Sequence, residues 1–242
     1  MSNLRVNSQL PMGIAWSWVK ASFAIFREKP INFILFAVGF VIFSILPIMG
    51  SFFAVLVAAR IYLTAKYVED GQPVGVSLNL ALIFRQRNIV SYALFNVLFD
   101  FVVTSLVWES MAGFGIDTSN TVNMLSDHRS IVILVCASVV RAVFLGISLA
   151  IMVFNPEVKV FQSLKLNWQF LLKNSAVVVL GVLLLLPFLL VPLYVFVLIS
   201  LSVASAVVSI IALVIVVILM LLFISVTTIF SYKLYQNGIS HE

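Results

Sequence analysis

Six stretches of this chain are too apolar, and too long, to fold in water. They run over about Ile31–Met49, Ser51–Tyr67, Ile89–Trp108, Ser130–Phe154, Ser175–Ile199 and Val203–Tyr232. A helix needs about 20 apolar residues to cross roughly 30 Å of hydrocarbon, and each stretch is of that order. Composition agrees: 63% of the 242 residues are hydrophobic, 10% are charged, and the mean hydropathy is +1.20. A soluble domain has about 25% charged residues. The expected fold is therefore all-α: one membrane domain, residues 1–242, of six transmembrane helices paired as three hairpins. The boundary between the last two is the least marked, because LISLSVASAVVS is a corner of small residues; a pair of broken or re-entrant helices is the alternative there.

Lys and Arg give the orientation, since they concentrate in short cytoplasmic connections. Arg5, Lys20, Arg27 and Lys29 precede the first span. Lys66, Arg85 and Arg87 lie between the second and third, Lys159, Lys165 and Lys173 between the fourth and fifth, and Lys233 near the end. The opposite side holds Glu109, Asp117 and Asp127 against Arg129 alone. Both termini are expected in the cytoplasm. The net charge of +5 is a topology signal in this reading and not a nucleic-acid surface, because the basic residues sit at the ends of apolar runs. Cys136, the only cysteine, lies inside an apolar run and reads as a small buried hydrophobe.

One phrase recurs. FREKPINFILF begins at Phe26, FRQRNIVSYALF at Phe84 and FLLKNSAVVVLG at Phe170. Each has a Phe, a Lys or Arg three places on, then Pro or Asn, then an apolar run. The stretch before each is amphipathic at helical spacing. Ala15, Trp18, Val19, Phe23 and Phe26 make one face of the first, opposite Ser17, Lys20 and Arg27. Val158, Phe161, Leu164, Trp168 and Leu171 make one face of the last, opposite Lys159, Ser163 and Asn167. The middle copy, VGVSLNLALIFRQRN, is shorter. These read as helices lying in the cytoplasmic interface, with Trp16, Trp18, Arg27, Arg85, Arg87, Lys165 and Trp168 as lipid anchors. The unit is one interfacial helix plus one hairpin, written three times; aromatic and basic anchoring common to many hairpins is the competing explanation.

Three charges fall well inside spans: Arg60, Asp100 and Arg141. A charge at the bilayer centre costs about 2.5–3.5 kcal/mol on insertion scales. Asn96, Asp100 and Thr104 share a helical face, so a polar seam of Arg60, Asn96, Asp100 and Arg141 is the candidate binding site. Two Arg against one Asp would favour an anion or a lipid headgroup. The competing reading is an ion pair that fixes helix packing, with the second Arg snorkelling towards headgroups; Pro187 and Pro192 would be kinks in a transporter that uses the seam. No catalytic or metal-ligand pattern is written in the chain: His128 and Asp127 lack ligand spacing, and the glycines Gly13, Gly71 and Gly75 are isolated. No cofactor and no enzymatic activity are expected.

The run GIAWSWVKASFAIFREKPINF, then ILPIMG, EDGQPV and IFRQRN, resembles an uncharacterised family of six-helix bacterial inner-membrane proteins. The resemblance is carried by Gly13, Trp16, Phe26, Arg27, Pro30, Pro47 and Gly50. SLKLNWQFLLKN is more loosely similar to membrane domains fused to some bacterial glycerophosphodiester phosphodiesterases, whose chemistry belongs to a separate domain. The resemblance implies a bacterial inner membrane and six spans, and no catalytic residue. Two functions remain open: a non-enzymatic accessory or scaffold subunit of the cell envelope, lipid-linked in one version, and a small transporter or channel-like protein using the seam. Membrane lipids, a membrane-protein partner or a second copy of the chain are the expected partners.

Overall fold

A computed structural model describes residues 4–46, 49–75, 80–118, 127–202 and 206–241. The helices are α1 (Gly13–Glu28), α2 (Pro30–Ser44), α3 (Met49–Glu69), α4 (Ala81–Phe84), α5 (Arg87–Gly113), α6 (His128–Leu145), α7 (Ser148–Phe154), α8 (Val160–Ser202) and α9 (Ala206–Gly238). Five helical segments are long and apolar enough to cross a membrane: Met49–Glu69, Arg87–Gly113, His128–Phe154, Val160–Phe188 and Ile210–Gly238.

The repeated phrase marks a backbone break each time. Lys29 leaves the helical region (φ −141°, ψ 58°) between α1 and α2, where Pro30 opens the next helix without needing an N–H partner. Gln86 (φ −88°, ψ 96°) precedes α5. Asn174 (φ −130°, ψ 21°) is non-helical inside α8. Each break falls within five residues of the repeated Phe, so the three copies do the same local job. The dihedrals stay helical at Pro187 and Pro192, so the bend expected of them falls at Asn174 instead.

The first apolar run, expected as a span over Ile31–Met49, forms a shorter helix. α2 has 15 residues, about 22 Å at 1.5 Å each, and the chain turns after Ser44; Pro47 lies outside the described residues. The Gly50 N–H donates to the Leu46 carbonyl (2.9 Å) at the α2–α3 corner. A Cβ on Gly50 would stand 2.8 Å from the Phe43 carbonyl oxygen. That oxygen is backbone and cannot rotate away, so Gly50→Ala is expected to splay the corner and cost about 1–3 kcal/mol, the range for overpacking. Thermal unfolding of the purified variant in detergent checks it.

The segment expected as the fourth span is also not one straight helix. Gly146 (φ +21°) separates α6 from α7. The carbonyls and N–H groups freed there need partners, because hydrocarbon offers none. Asn167 of α8 supplies them. Its Oδ1 accepts from the Ile147 N–H (2.9 Å), and its Nδ2 donates to the carbonyls of Val143 (2.8 Å) and Phe144 (3.3 Å). Ser163, Asn167, Phe170 and Asn174 therefore face the protein and are buried, while Phe161, Lys165, Trp168 and Leu172 face outward. Ser163 and Asn167, expected on the polar face, thus turn inward; of the expected apolar face Val158 is buried, Leu164 and Leu171 are half-buried, and Phe161 and Trp168 are exposed. α7 beyond the break is buried from Ser148 through Val153.

The chain is not purely helical. β1 (Leu4–Val6) pairs antiparallel with β2 (Ile239–His241), Arg5 opposite Ser240. Asn7 ties this clasp to the third break: its carbonyl accepts from Asn174 Nδ2 (2.9 Å), and its own Nδ2 donates to the Asn237 carbonyl (2.8 Å). The two ends thus lie on one side of the bundle. Of the expected middle interfacial helix, the described residues include the single turn of α4; residues 76–79 lie outside the described range. Cys136 is exposed on α6, not buried.

Candidate functional site

Asp100 stands at the midpoint of Arg87–Gly113, and Arg141 at the midpoint of His128–Phe154. Arg141 Nε donates to Asp100 Oδ1 at 2.8 Å. The Ser51 hydroxyl donates to Asp100 Oδ2. Arg141 Nη2 donates to Thr104 Oγ1 at 3.2 Å. Asn96 Nδ2 reaches the Ser51 carbonyl at 3.4 Å. Helices α3, α5 and α6 are thus joined through one ion pair. A charge-assisted bond of this kind outweighs a neutral one.

Ser51 lies one residue past Gly50, at the start of α3. Its contact with Asp100 brings the α2–α3 corner level with the middle of α5. Beyond that level α5 continues about another 20 Å to Gly113. There Val102, Leu106 and Trp108 of α5 and Val132, Val135 and Val139 of α6 are exposed.

Two open clefts meet at the pair. One, of about 410 Å³, is walled by Phe40, Val55, Tyr62, Tyr92 and Leu149 among others. The second, of about 430 Å³, is walled by Val97, Phe101, Ser105 and Trp108. Ser51, Asp100 and Arg141 line both.

Arg60 does not join this group. It is buried on another face of α3, with its guanidinium carbon 5.9 Å from the Phe36 ring centre. Asn96, Asp100 and Arg141 come together; the second arginine of the expected seam stands elsewhere, so the surplus positive charge is not at the clefts. Ser51 is the member that the sequence hides, since nothing marks a serine in the PIMGS turn as a carboxylate partner.

Comparison with known proteins adds no family. No family model matches the chain, and neither a curated protein nor a solved structure matches it.

The expected anchors divide. Trp16 is 49% exposed, with Lys20 Nζ 5.9 Å from its ring. Arg27, Arg85, Arg87 and Lys165 are exposed, and Trp168 is half exposed against Phe144. Trp18 is not an outward anchor. It is 2% exposed and packs edge-on to Phe230 of α9, because α1 turns its apolar face onto α8 and α9. A second polar cluster sits where α3 meets the end of α9. Glu69 accepts from Lys233 Nζ, from the Tyr232 hydroxyl (2.8 Å) and from Gln236 Nε2 (3.2 Å). Just before α6, Asp127 caps the helix by accepting from the Arg129 N–H (2.9 Å), and the Arg129 side chain holds the Asp127 carboxyl down to about 2. His128 Nδ1 is 4.0 Å from Asp127. Among the described residues no group of three or more His, Cys, Asp and Glu gathers where a metal could sit.

Proposed function

We propose that this chain is a bacterial inner-membrane protein that acts as a non-enzymatic accessory or scaffold subunit. It crosses the bilayer six times with both ends in the cytoplasm. The observation that carries this reading is the Asp100–Arg141 pair: its charges cancel within the chain, and its partners come from three helices. That is how a structural clamp is built. Such a pair holds helices in register and leaves no free charge for a permeating ion.

The surface supports the same reading. Leu213, Val214 and Ile215 are consecutive on α9 and all exposed, as are Val182 and Leu183 on α8. Those helices present apolar side chains around most of their circumference, the surface a membrane partner would meet. Orientation rests on the basic residues of the connections, and the strand pair of the two ends puts both on the same side. In this reading α2 is a short sixth span. At about 22 Å it undershoots the hydrocarbon, and the bilayer thins around the α2–α3 corner to match.

Gentle extraction at native abundance, followed by mass spectrometry of what co-purifies, tests the reading. A membrane protein at fixed stoichiometry is the expected result. A chain that emerges alone, and whose reconstituted vesicles pass a solute, would replace this reading with transport.

A further inference from the structure

We propose that the junction of the two clefts at Asp100 and Arg141 is a binding site for a zwitterionic headgroup, an ammonium joined to a phosphate or carboxylate. The proposal rests on the reading of α2 as a short span, which sets the depth of the site.

Consider what the pair leaves unspent. A guanidinium carries five N–H donors and a carboxylate about four lone-pair sites. Among the described residues Arg141 spends its Nε on Asp100 and one Nη2 hydrogen on Thr104. Asp100 accepts from Arg141 and Ser51. The side chains remain 38% and 25% exposed, toward the clefts that they line. Polar capacity left open beside hydrocarbon is costly. A ligand that fills it must bring an acceptor for Arg141 and a donor for Asp100 together. A net anion meets the Asp100 carboxylate, and a net cation meets the Arg141 guanidinium. A zwitterion satisfies both, and because Arg60 lies on another face the site has no excess charge to favour an anion.

Depth and walls fit an amphiphile. Asp100 is at the middle of α5 and Arg141 at the middle of His128–Phe154, four residues before α6 ends, yet counted along α3 the pair is beside the α2–α3 corner. If the corner marks a thinned leaflet, a headgroup reaches the pair without entering the bilayer centre. The clefts, of about 410 and 430 Å³, lie in the range of small-ligand sites. Phe101 and Trp108 on one side, and Phe40 and Leu149 on the other, give apolar walls for chains attached to the headgroup.

The test is native mass spectrometry of the full-length protein in detergent with equal phosphatidylethanolamine and phosphatidylglycerol. The wild type is expected to retain the ethanolamine lipid about ten-fold over the glycerol lipid, a difference of about 1.4 kcal/mol. Asp100→Leu combined with Arg141→Leu strands no ion, an exchange often neutral for stability; with its detergent Tm near that of the wild type it should erase the preference. Free phosphoethanolamine, titrated against thermal unfolding, separates the sources: a stabilising shift points to a soluble zwitterion, and retention of lipid alone points to a membrane lipid. Equal retention of both lipids with no shift, or a preference that survives in the double variant, overturns the site. Depth is checked separately by Leu46→Cys in a Cys136→Ser background. Labelling by an impermeant maleimide from outside supports the short span, and failure to label would sink the topology while leaving the lipid ratio to judge the site.

Discussion

Replacing Asn167 by leucine is expected to destabilise the protein more than any other single change in the first half of α8. The two side chains are nearly the same size, so the site stays filled. What is lost is chemistry. The Ile147 N–H loses its acceptor, and the carbonyls of Val143 and Phe144 lose their donor. Leaving a buried polar group unsatisfied costs about 1–3 kcal/mol, so the three together exceed about 3 kcal/mol. Asn167→Asp should be no better. It keeps an acceptor for Ile147 but sets a carboxylate against two carbonyls in a buried place. Gly146→Ala attacks the same junction from the other side, since its Cβ would fall 2.3 Å from Asn167 Oδ1 and 2.9 Å from the Ala142 carbonyl. Cellular abundance and the detergent Tm of the three variants check the set. An unchanged Tm for Asn167→Leu would mean that the break between α6 and α7 holds itself.

That junction also shows why sequence reading reached the layout but not its inside. Apolar run length is a strong signal, because every uncovered backbone group in a bilayer must be internally paired, and the long helices follow from it. The repeated phrase was legible for the same reason: Pro30, Asn88 and Asn174 sit where helices break. The facing of α8 was not. An amphipathic pattern tells apolar from polar, but here the polar stripe of Ser163, Asn167 and Asn174 turns inward to serve broken backbone, and the aromatic stripe turns out. Trp18 misled in the same way, since a Trp beside basic residues reads equally as a lipid anchor or a core residue, and only the neighbour Phe230 decides. In the candidate site, the spacing of Asp100 and Arg141 along their spans put both at one depth, and the structure pairs them. Arg60 had the same credentials by depth, yet its direction around α3 depends on the packing of α2, which no single-helix count contains.

Breaking the Asp100–Arg141 pair is expected to be asymmetric. Arg141→Leu leaves a carboxylate that can take up a proton and become neutral, with Ser51 still at hand. Asp100→Leu leaves a guanidinium that cannot lose its charge, held by Thr104 alone among the described residues. A lone charge in the span costs about 2.5–3.5 kcal/mol. The loss should therefore fall near that figure for Asp100→Leu and clearly below it for Arg141→Leu. Removing both residues together leaves no ion to strand, and exchanging a buried pair for apolar side chains is often neutral or stabilising. The leucine double variant should accordingly be more abundant than Asp100→Leu. Swapping the charges, Asp100→Arg with Arg141→Asp, should also recover part of the loss, because the Ser51 hydroxyl can accept from an arginine and the Thr104 hydroxyl can donate to an aspartate. Membrane abundance and detergent Tm across the five proteins give the coupling directly. If the two single variants lose stability equally and the double variant loses their sum, the residues do not act as a pair, and the clamp between α5 and α6 must be sought in their apolar contacts.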